Sequence, residues 1–216
     1  GRNQDRGRGG RPAGRRRVTC PPTESRADPA AWLARLEAGA TAAEAFALFD
    51  ALPAVPLEAM TGRWRGRGLP TGHRFDGMLE GLGWYGKEFF DSETVYPLLF
   101  RRGERLVALA PGRLPVDLLV RWPRLAGSAV LRGAFRFALP LFATPRPGAR
   151  LRLVTFRGQA GAAMVYDRQP IIDVFRQVDA DTLLGVMDLR GLPEPYFFVL
   201  RRDPAAGHHP SGDQPW

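Results

Sequence analysis

Acid–base chemistry in this sequence would depend mainly on aspartates in its last third. Five of them lie on or between strand-like segments: Asp167, Asp173, Asp179, Asp181 and Asp188. The first, third and fourth stand at turns, where aspartate is an expected residue. Asp173 instead lies in mid-strand, between Ile171 and Phe175, and a buried carboxylate there needs a partner. A carboxylate paired with a second proton carrier is an arrangement that general acid–base catalysis uses.

The candidate partners of Asp173 are Arg176, Arg201 and Tyr166. An internal Asp–Arg pair favours a structural role over a catalytic one. His73 is the one histidine inside the segments expected to fold, and it is a candidate proton carrier or cofactor ligand. A lone loop histidine is nevertheless more typical of the surface. Lys87 is the only lysine of the chain, and it is also expected at the surface.

The signatures of well-known catalytic and cofactor sites do not occur in this sequence. There is no G-x-S-x-G, no H-E-x-x-H and no Walker loop. The single cysteine, Cys20, has no companion at metal-ligand spacing. Gly66-Arg67-Gly68 lacks the third glycine of a dinucleotide-binding loop. The motifs therefore name no metal and no cofactor, and they leave open whether the protein is an enzyme.

One short stretch, Gly62–Gly68, organises the rest of the chain. It reads G-x-W-x-G-x-G, with arginine in the gaps. In a strand, alternate residues share a face, so Trp64 and the glycines lie on one side and the arginines face water on the other. Glycines beside an indole let neighbouring segments approach closely. This pattern predicts a first strand, Met60–Gly68, whose tryptophan plugs the end of a small barrel.

The composition is that of a globular protein with a basic tail. The formal net charge is +9. Residues 1–17 contain seven arginines and one aspartate, so most of the positive charge lies there. The remaining part is nearly balanced, and we expect no nucleic-acid partner for the folded region. One cysteine is compatible with a reducing compartment, and no apolar run reaches the length of a membrane span. These features predict a cytoplasmic protein.

The signals divide the chain into four parts. These are a disordered basic tail (1–27), a helical hairpin (28–56), a β-barrel domain (57–203) and a second disordered tail (204–216). Asp28-Pro29 and the capping box of Thr41 and Glu44 begin the two helices. A short helix is expected at Asp76–Leu82, capped by Asp76.

The middle of the chain combines one clear hairpin with a poorly readable segment. Val95–Arg101 and Arg105–Ala110 predict two strands around a tight turn. Within 111–148, Leu114–Val120 is compatible with a helix and Ala134–Phe142 with a strand or a lid. Pro140 and two nearby prolines argue against long regular elements there.

The last third predicts an antiparallel meander. Its five strand-like runs are Arg150–Phe156, Ala162–Asp167, Ile171–Val178, Thr182–Leu189 and Tyr196–Arg202. Their connections are too short for parallel crossovers. In the third run, neither face is purely apolar, because Asp173 lies on one and Arg176 on the other. That mixture favours a closed barrel with some polar groups inside over a flat, half-buried sheet.

These residues carry a family resemblance. The chain resembles the bacterial GXWXG-motif family, which joins a short GXWXG segment to a C-terminal domain of unknown function. The matching segments are Gly62–Gly66, Met164–Arg176, Gly185–Asp188 and Tyr196–Arg202. The resemblance covers roughly residues 55–203 and implies no particular activity.

A looser resemblance links the chain to calycins, the lipocalin-like barrels. In these, G-x-W begins the first strand and a basic residue of the last strand packs over the indole. Trp64 and either Arg201 or Arg202 would take those roles. The longer G-x-W-x-G-x-G also resembles the start of nitrobindin, a haem-binding barrel whose ligand is a histidine near the C-terminus. Here only His208 and His209 lie in that region, after the final strand, so we expect no haem ligation by a barrel histidine.

The sequence thus predicts a mainly β protein, an antiparallel calycin-like barrel with an N-terminal helical hairpin. The expected function is binding of a small hydrophobic, lipid-like ligand inside the barrel. The candidate ligand-binding residues are Trp64, His73, Trp84, Tyr85, Tyr166, Asp173, Phe175, Arg176 and Arg201. The alternatives are an acid–base enzyme acting on a buried hydrophobic substrate through Asp173 with Tyr166 or His73, haem binding, and a protein-interaction module.

Overall fold

The computed structural model describes residues 28–114 and 129–204. The α-helices are α1 (Pro29–Leu36), α2 (Ala42–Ala51), α3 (Met78–Leu82) and α4 (Ala129–Phe142). The strands are β1 (Gly62–Gly68), β2 (Trp84–Phe89), β3 (Val95–Arg102), β4 (Arg105–Ala108), β5 (Ala149–Phe156), β6 (Gln159–Tyr166), β7 (Ile171–Asp179), β8 (Thr182–Leu189) and β9 (Tyr196–Arg202). Short 3₁₀ turns occur at Leu57–Met60 and Pro111–Arg113.

Eight of the described strands close into an antiparallel barrel. The order around the ring is β2-β1-β9-β8-β7-β6-β5-β3, and β3 pairs with β2 to complete it. The joint between β3 and β5 rests on the pairing of Val95 with Ala149. The ninth strand, β4, pairs with β3 beside the ring. The predicted barrel, its first strand and the C-terminal meander are confirmed.

Trp64 fills one end of the barrel, as the G-x-W pattern predicts. Its side chain is fully buried, and its indole N–H donates to the Met60 carbonyl at 2.7 Å. The Arg202 guanidinium lies 4.2 Å from the ring centre and donates to the carbonyls of Thr61 and Ala59 at 2.8 and 3.1 Å. Of the two arginines proposed for this stacking, Arg202 is therefore the one that contacts the indole.

The glycines of β1 make room for aromatic rings from other strands. A Cβ atom at Gly66 would overlap the indole of Trp84. The six-membered ring of Trp84 can therefore pack closely against the bare backbone of β1, inside the barrel. The close approach expected from the glycine spacing is present.

The helical hairpin packs on the outside of the barrel. Its N-caps are those expected: Asp28 accepts from Ala30, and Thr41 and Glu44 form a capping box. Leu48 and Phe49 of α2 bury the outward side chains of β7 to β9, including Val174 and Phe197. Strand β7 is thus covered on both faces, because the barrel interior buries one and the helices bury the other. This double covering explains why the sequence of β7 shows no alternation between a buried apolar face and an exposed polar face.

Two local expectations are corrected. Ala134–Phe142 is neither a strand nor a lid segment but part of helix α4, in which Pro140 lies near the C-terminal end. Phe135, Leu139 and Phe142 recur at helical spacing and pack inward, and this periodicity outweighs the single proline.

The short helix α3 begins at Met78 rather than at Asp76. The carboxylate of Asp76 accepts from the backbone N–H groups of Thr71 and His73 instead, at 3.0 and 2.9 Å. It therefore closes the preceding loop and does not cap the helix.

The remaining expectations concern residues outside the described ranges. They are the two disordered tails and the body of the helix expected at Leu114–Val120. Within the described residues, no helix has both the length and the apolar character needed to cross a membrane.

Replacing Trp64 by alanine tests the plug. We expect Trp64→Ala to lower the free energy of unfolding by about 3–5 kcal/mol, because it leaves a large cavity in the core. Arg202→Ala should lower it by about 1–2 kcal/mol, through lost cation–π contact and packing. Chemical denaturation of each variant measures both values.

Arg201→Ala is the matched control, because Arg201 is half-exposed and its contact is an ion pair with Glu37 at 2.9 Å. Its loss should cost less than about 1 kcal/mol. If Trp64→Ala costs only a few tenths of a kcal/mol, the indole does not hold the barrel end together.

Candidate functional site

A cavity lies inside the barrel, toward the end where β1 finishes and β9 begins. Its volume, measured as the space open to the centre of a water molecule, is about 110 Å³. A single water needs roughly 10–15 Å³ by that measure, so the cavity has room for a small organic molecule. The lining is mostly apolar side chains from the strands, α3 and the turn at 111–114. Its polar members are Lys87, Tyr166, Gln169, Asp173 and Tyr196.

A buried ion pair lies in the wall of this cavity. Lys87 Nζ is 2.8 Å from Asp173 Oδ2, and the two residues are 3% and 1% exposed. Nζ also lies 3.4 Å from both the Tyr166 hydroxyl and the Pro97 carbonyl oxygen. The ammonium thus has one close anionic partner and two longer polar contacts, and its side chain is almost fully buried.

Aromatic rings enclose the rest of the ammonium group. Lys87 Nζ is 5.0 Å from the ring centre of Phe198, 5.5 Å from that of Trp84 and 5.7 Å from that of Tyr166. These distances are within the range of cation–π attraction. Because the surrounding surface is aromatic, any group that reaches Nζ from the cavity meets it in a poorly hydrated environment.

A bulge in β2 brings Lys87 inside. Trp84 and Lys87 both face the interior, although three positions separate them and strict alternation would place them on opposite faces. The register against β3 shifts on either side of Gly86. Gly86 has φ = 148°, and a Cβ there would overlap the backbone carbonyl oxygen of Trp64. Only glycine fits this position, and the bulge it permits turns Lys87 inward, opposite Trp64.

Burial controls the protonation of the two neighbours of Lys87. Burial raises the pKa of the Asp173 carboxyl, and the positive charge of Lys87 opposes that rise. Burial raises the pKa of the Tyr166 hydroxyl well above its ordinary value, and the nearby charge of Asp173 adds to the effect. Tyr166 is therefore a proton donor at neutral pH, and Asp173 takes up a proton more readily than an exposed aspartate.

Three buried polar atoms of the lining have no hydrogen-bond partner within the described residues. They are Asp173 Oδ1, Trp84 Nε1 and the Tyr196 hydroxyl. Buried polar atoms are normally paired with protein or with water. These three atoms can therefore each pair with a polar group or a water placed in the cavity.

The structure brings together three of the nine residues predicted for the ligand site. Trp84, Tyr166 and Asp173 line the cavity. Phe175 is interior but lies in the filled core, against Phe89 and Phe198. Trp64 belongs to the plug at the other end.

Four other predicted residues lie elsewhere. Tyr85 is on the outer face of β2, where its hydroxyl donates to Asp203 and accepts from Arg65. Arg176 is buried between the barrel and α2, with its guanidinium 4.7 Å from the Phe49 ring centre. It faces outward because it is one residue away from the inward-facing Phe175. Arg201 pairs with Glu37 at the surface.

His73 completes the set and does not line the cavity. Its ring packs edge-on against Phe75 and lies 5.3 Å from the Tyr196 ring, and its Nδ1 accepts from the Phe75 backbone N–H at 3.1 Å. Burial lowers its pKa. The residue is half-buried beside the loop of Asp76, a position compatible with a packing role.

Sequence reasoning missed Lys87, the residue with the most distinctive environment. It predicted a surface lysine, which is wrong, and it named arginines or a tyrosine as partners of Asp173. Two signals were available. Lys87 is the only lysine among many arginines, and it follows Gly86 in a strand whose alternation the glycine can shift. For Tyr196 and Phe198, which also line the cavity, the sequence predicts a strand and nothing more.

Three of the other aspartates singled out by the sequence have local partners at the surface. Asp167 pairs with Arg150 at 2.8 Å, and Asp181 pairs with Arg202 at 3.0 Å. Asp179 accepts from the Asp181 backbone at its turn. Among the residues that the structure describes, no group of three or more His, Cys, Asp or Glu side chains is placed to hold a metal ion.

Comparisons with known proteins match the two halves of the barrel separately. A family model described as GXWXG protein matches residues 47–104, and one described as a domain of unknown function (DUF4334) matches residues 147–202. A protein from Thermomonospora curvata, known from a crystal structure, is 34% identical with a TM-score of 0.60. That match covers 82% of this chain and 99% of the other. No curated protein matches.

Removing the charge of Lys87 should expose the energetic cost of burying Asp173. We expect Lys87→Met to lower the free energy of unfolding at neutral pH by about 3–5 kcal/mol, because the buried Asp173 carboxylate loses its counter-charge. The pKa of Asp173 is already raised in the folded protein, so the folded variant binds a proton that the unfolded chain releases. The deficit should therefore shrink as the pH falls. Denaturation of variant and wild type across a pH series measures this.

The double variant Lys87→Met, Asp173→Asn is the control, since it carries neither charge. It should be more stable than Lys87→Met at neutral pH, and its stability relative to wild type should vary less with pH. A single variant as stable as wild type at every pH would show that the pair is not buried in solution.

Haem binding gives a separate test of His73. A haem ligand must be held by rigid surroundings, but His73 lies outside the cavity lining and its Nδ1 already accepts a hydrogen bond. These residues do not fit a histidine-ligated haem. We expect haemin titration to give no saturable Soret shift that depends on His73. A sharp shift that His73→Ala abolishes would contradict this, whereas a shift lost only on removal of the C-terminal residues would indicate adventitious binding by His208 and His209.

Proposed function

This chain belongs to the GXWXG family, and we propose that it binds a small, mainly apolar ligand inside its barrel, with one polar group of the ligand held beside Lys87, Asp173 and Tyr166. The observation that carries the proposal is the buried ion pair in the wall of an apolar cavity. Ligand sites typically combine apolar walls with a few placed polar groups.

The lining favours a ligand oxygen that accepts hydrogen bonds. The Gln169 amide already donates to the carbonyls of Pro111 and Leu114. Four other lining groups can donate to a ligand: the Lys87 ammonium, the Tyr166 and Tyr196 hydroxyls and the Trp84 indole N–H. Of the charged lining groups, Asp173 is the one that accepts hydrogen bonds, and its Oδ2 is already paired with the Lys87 ammonium. A carbonyl or hydroxyl oxygen would satisfy a donor that is otherwise unpaired, and the remainder of the ligand would contact apolar walls.

The size of the cavity favours a small ligand over a long lipid. A volume of about 110 Å³ is modest for a barrel of eight strands, because Trp64, Phe175 and their neighbours fill the other end. The proposed ligand is therefore a compact or short-chain molecule with one oxygen function. Long acyl chains would require the filled end to open.

Acid–base catalysis is a second candidate, favoured by the position of Asp173. Its carboxyl has a raised pKa and one unpaired oxygen, and it lies next to a proton-donating tyrosine and an ammonium. Such a group can hold or move a proton on a bound molecule. Of the two proton carriers that the sequence offers as partners of Asp173, Tyr166 is near it and His73 is not.

A cytoplasmic location and the absence of a nucleic-acid partner for the barrel also stay predictions.

Filling part of the cavity should weaken ligand binding. The probe is hexan-1-ol, and the readout is a saturable shift of the Trp84 indole N–H signal in ¹H–¹⁵N NMR spectra. Leu98→Phe adds volume to a residue of the lining and should weaken binding by about tenfold or more, a loss of roughly 1.4 kcal/mol.

Leu153→Phe is the matched control, because Leu153 carries the same side chain on an exposed position of β5. It should bind hexan-1-ol as wild type does. If the two variants bind alike, or if the wild-type signal does not saturate, the cavity is not a ligand site. Native mass spectrometry of freshly purified protein gives an independent check, since a co-purified small molecule lost in Leu98→Phe favours binding over a protein-interaction role.

A further inference from the structure

Position 87 carries a lysine in a chain that otherwise uses arginine for its strongly basic residues. The chain has 31 lysine and arginine residues, and Lys87 is the only lysine among them. Every other basic side chain of these two types is a guanidinium. An ion pair needed only for structure is served well by arginine, which stays charged and forms more hydrogen bonds with a carboxylate. The one position that departs from arginine is a buried one, facing a cavity.

The amine of a lysine can act as a nucleophile, whereas the guanidinium of an arginine cannot. An amine that has lost its proton is a nucleophile, and a lysine in a desolvated pocket is a typical Schiff-base residue. The proton acceptor is already in place, because Asp173 Oδ2 lies 2.8 Å from Lys87 Nζ. The nearest further hydroxyl, that of Tyr166, lies 3.4 Å from Nζ. A nucleophile, a base and a donor therefore converge on one wall of the cavity.

We propose that Lys87 forms a Schiff base with the carbonyl carbon of an aldehyde or ketone bound in the cavity. This inference rests on the proposed function, because it requires that the cavity bind a small oxygen-containing molecule. It specifies the class of ligand, a carbonyl compound, and the atom that forms the bond with it, Lys87 Nζ. The unpaired donors of the lining fit the same ligand, since a carbonyl oxygen is an acceptor.

The steps balance with the groups present. The Lys87 ammonium gives one proton to Asp173, and the Nζ lone pair attacks the carbonyl carbon while the π electrons move to oxygen. That oxygen takes the proton from Asp173, and the attacking nitrogen returns one proton to Asp173, which leaves a neutral carbinolamine. Asp173 then protonates the hydroxyl, water leaves, and the nitrogen lone pair forms the C=N bond. The net change converts the ammonium and the carbonyl into a protonated imine and one water.

The surroundings of Nζ suit each step. Tyr166 keeps its proton at neutral pH and is placed to donate to the carbonyl oxygen. The rings of Trp84, Tyr166 and Phe198 surround the nitrogen and can stabilise a protonated imine as they do the ammonium. Asp173 remains as the counter-ion of the cationic product.

Reductive trapping tests this inference without any variant. Wild-type protein prepared without tag lysines is incubated with hexanal and sodium cyanoborohydride, which reduces an imine to a stable secondary amine. The protein offers Lys87 and its N-terminal α-amino group as primary amines, so peptide mapping by mass spectrometry separates the two sites. We expect the hexyl adduct on Lys87 to form about tenfold or more faster than on the α-amino group, because the cavity orients the reactants. Hexan-1-ol should slow the adduct on Lys87 alone.

Two variants complete the experiment. Lys87→Arg keeps the positive charge but cannot act as an amine, and it should lose the internal adduct while the α-amino group still reacts at the wild-type rate. Asp173→Asn keeps the amine but removes the proton acceptor, and it should slow trapping more than it weakens hexan-1-ol binding.

The outcomes separate the two proposals. If hexan-1-ol binds and hexanal leaves no adduct on Lys87 in folded wild-type protein, the Schiff-base inference is wrong and the binding proposal stands. If hexan-1-ol does not bind, the binding proposal fails and the inference fails with it. An adduct on Lys87 that hexan-1-ol does not slow would show reaction outside the cavity and would also overturn the inference.

Discussion

The contact between β1 and β2 at Gly86 is the constraint on which both ends of the barrel depend. The backbone of Gly86 lies so close to the Trp64 carbonyl that no side chain fits between them. This approach permits the bulge that turns Lys87 inward beside Trp64. The plug and the candidate site are therefore products of the same strand pairing. A change in that pairing would disturb the closed end and the cavity together.

The buried ion pair joins the two segments that the family models match. Lys87 belongs to the segment matched as GXWXG protein, and Asp173 to the segment matched as a domain of unknown function. The two matched segments form one closed barrel here, since β1 pairs with β9 and β3 with β5. The site thus cannot be assigned to either segment alone. It exists only when the barrel closes and brings β2 and β7 to face each other across the interior.

The sequence predicted the fold better than the site, and the reasons are physical. Short strands with tight turns, capping residues and the alternating glycines around Trp64 are local signals, and each predicted its element correctly. The position of Lys87 depends on a bulge, which needs the partner strand to define it.

The inward or outward direction of Arg176 is hidden in the sequence for a different reason. Both faces of β7 are buried, one by the barrel core and one by α2, so polarity did not tell the inside from the outside. The sequence does not predict helix α4, because Pro140 argues against it even though Phe135, Leu139 and Phe142 lie at helical spacing.

Stability alone does not account for the pair of Lys87 and Asp173. Removing two charges from water is expensive, and a well-packed apolar pair of similar volume is often as stable or more so. The barrel also has apolar side chains available for that purpose, as its filled end demonstrates with Trp64 and Phe175. The charges instead lie where the packing stops and the cavity begins, and one carboxylate oxygen lacks a partner among the described residues. An ion pair kept for packing would be expected to have its lone pairs satisfied and its surroundings closed. A pair that borders an open space, with an unsatisfied oxygen and an amine where the chain otherwise uses guanidinium, fits the proposed ligand site better than a role in packing alone.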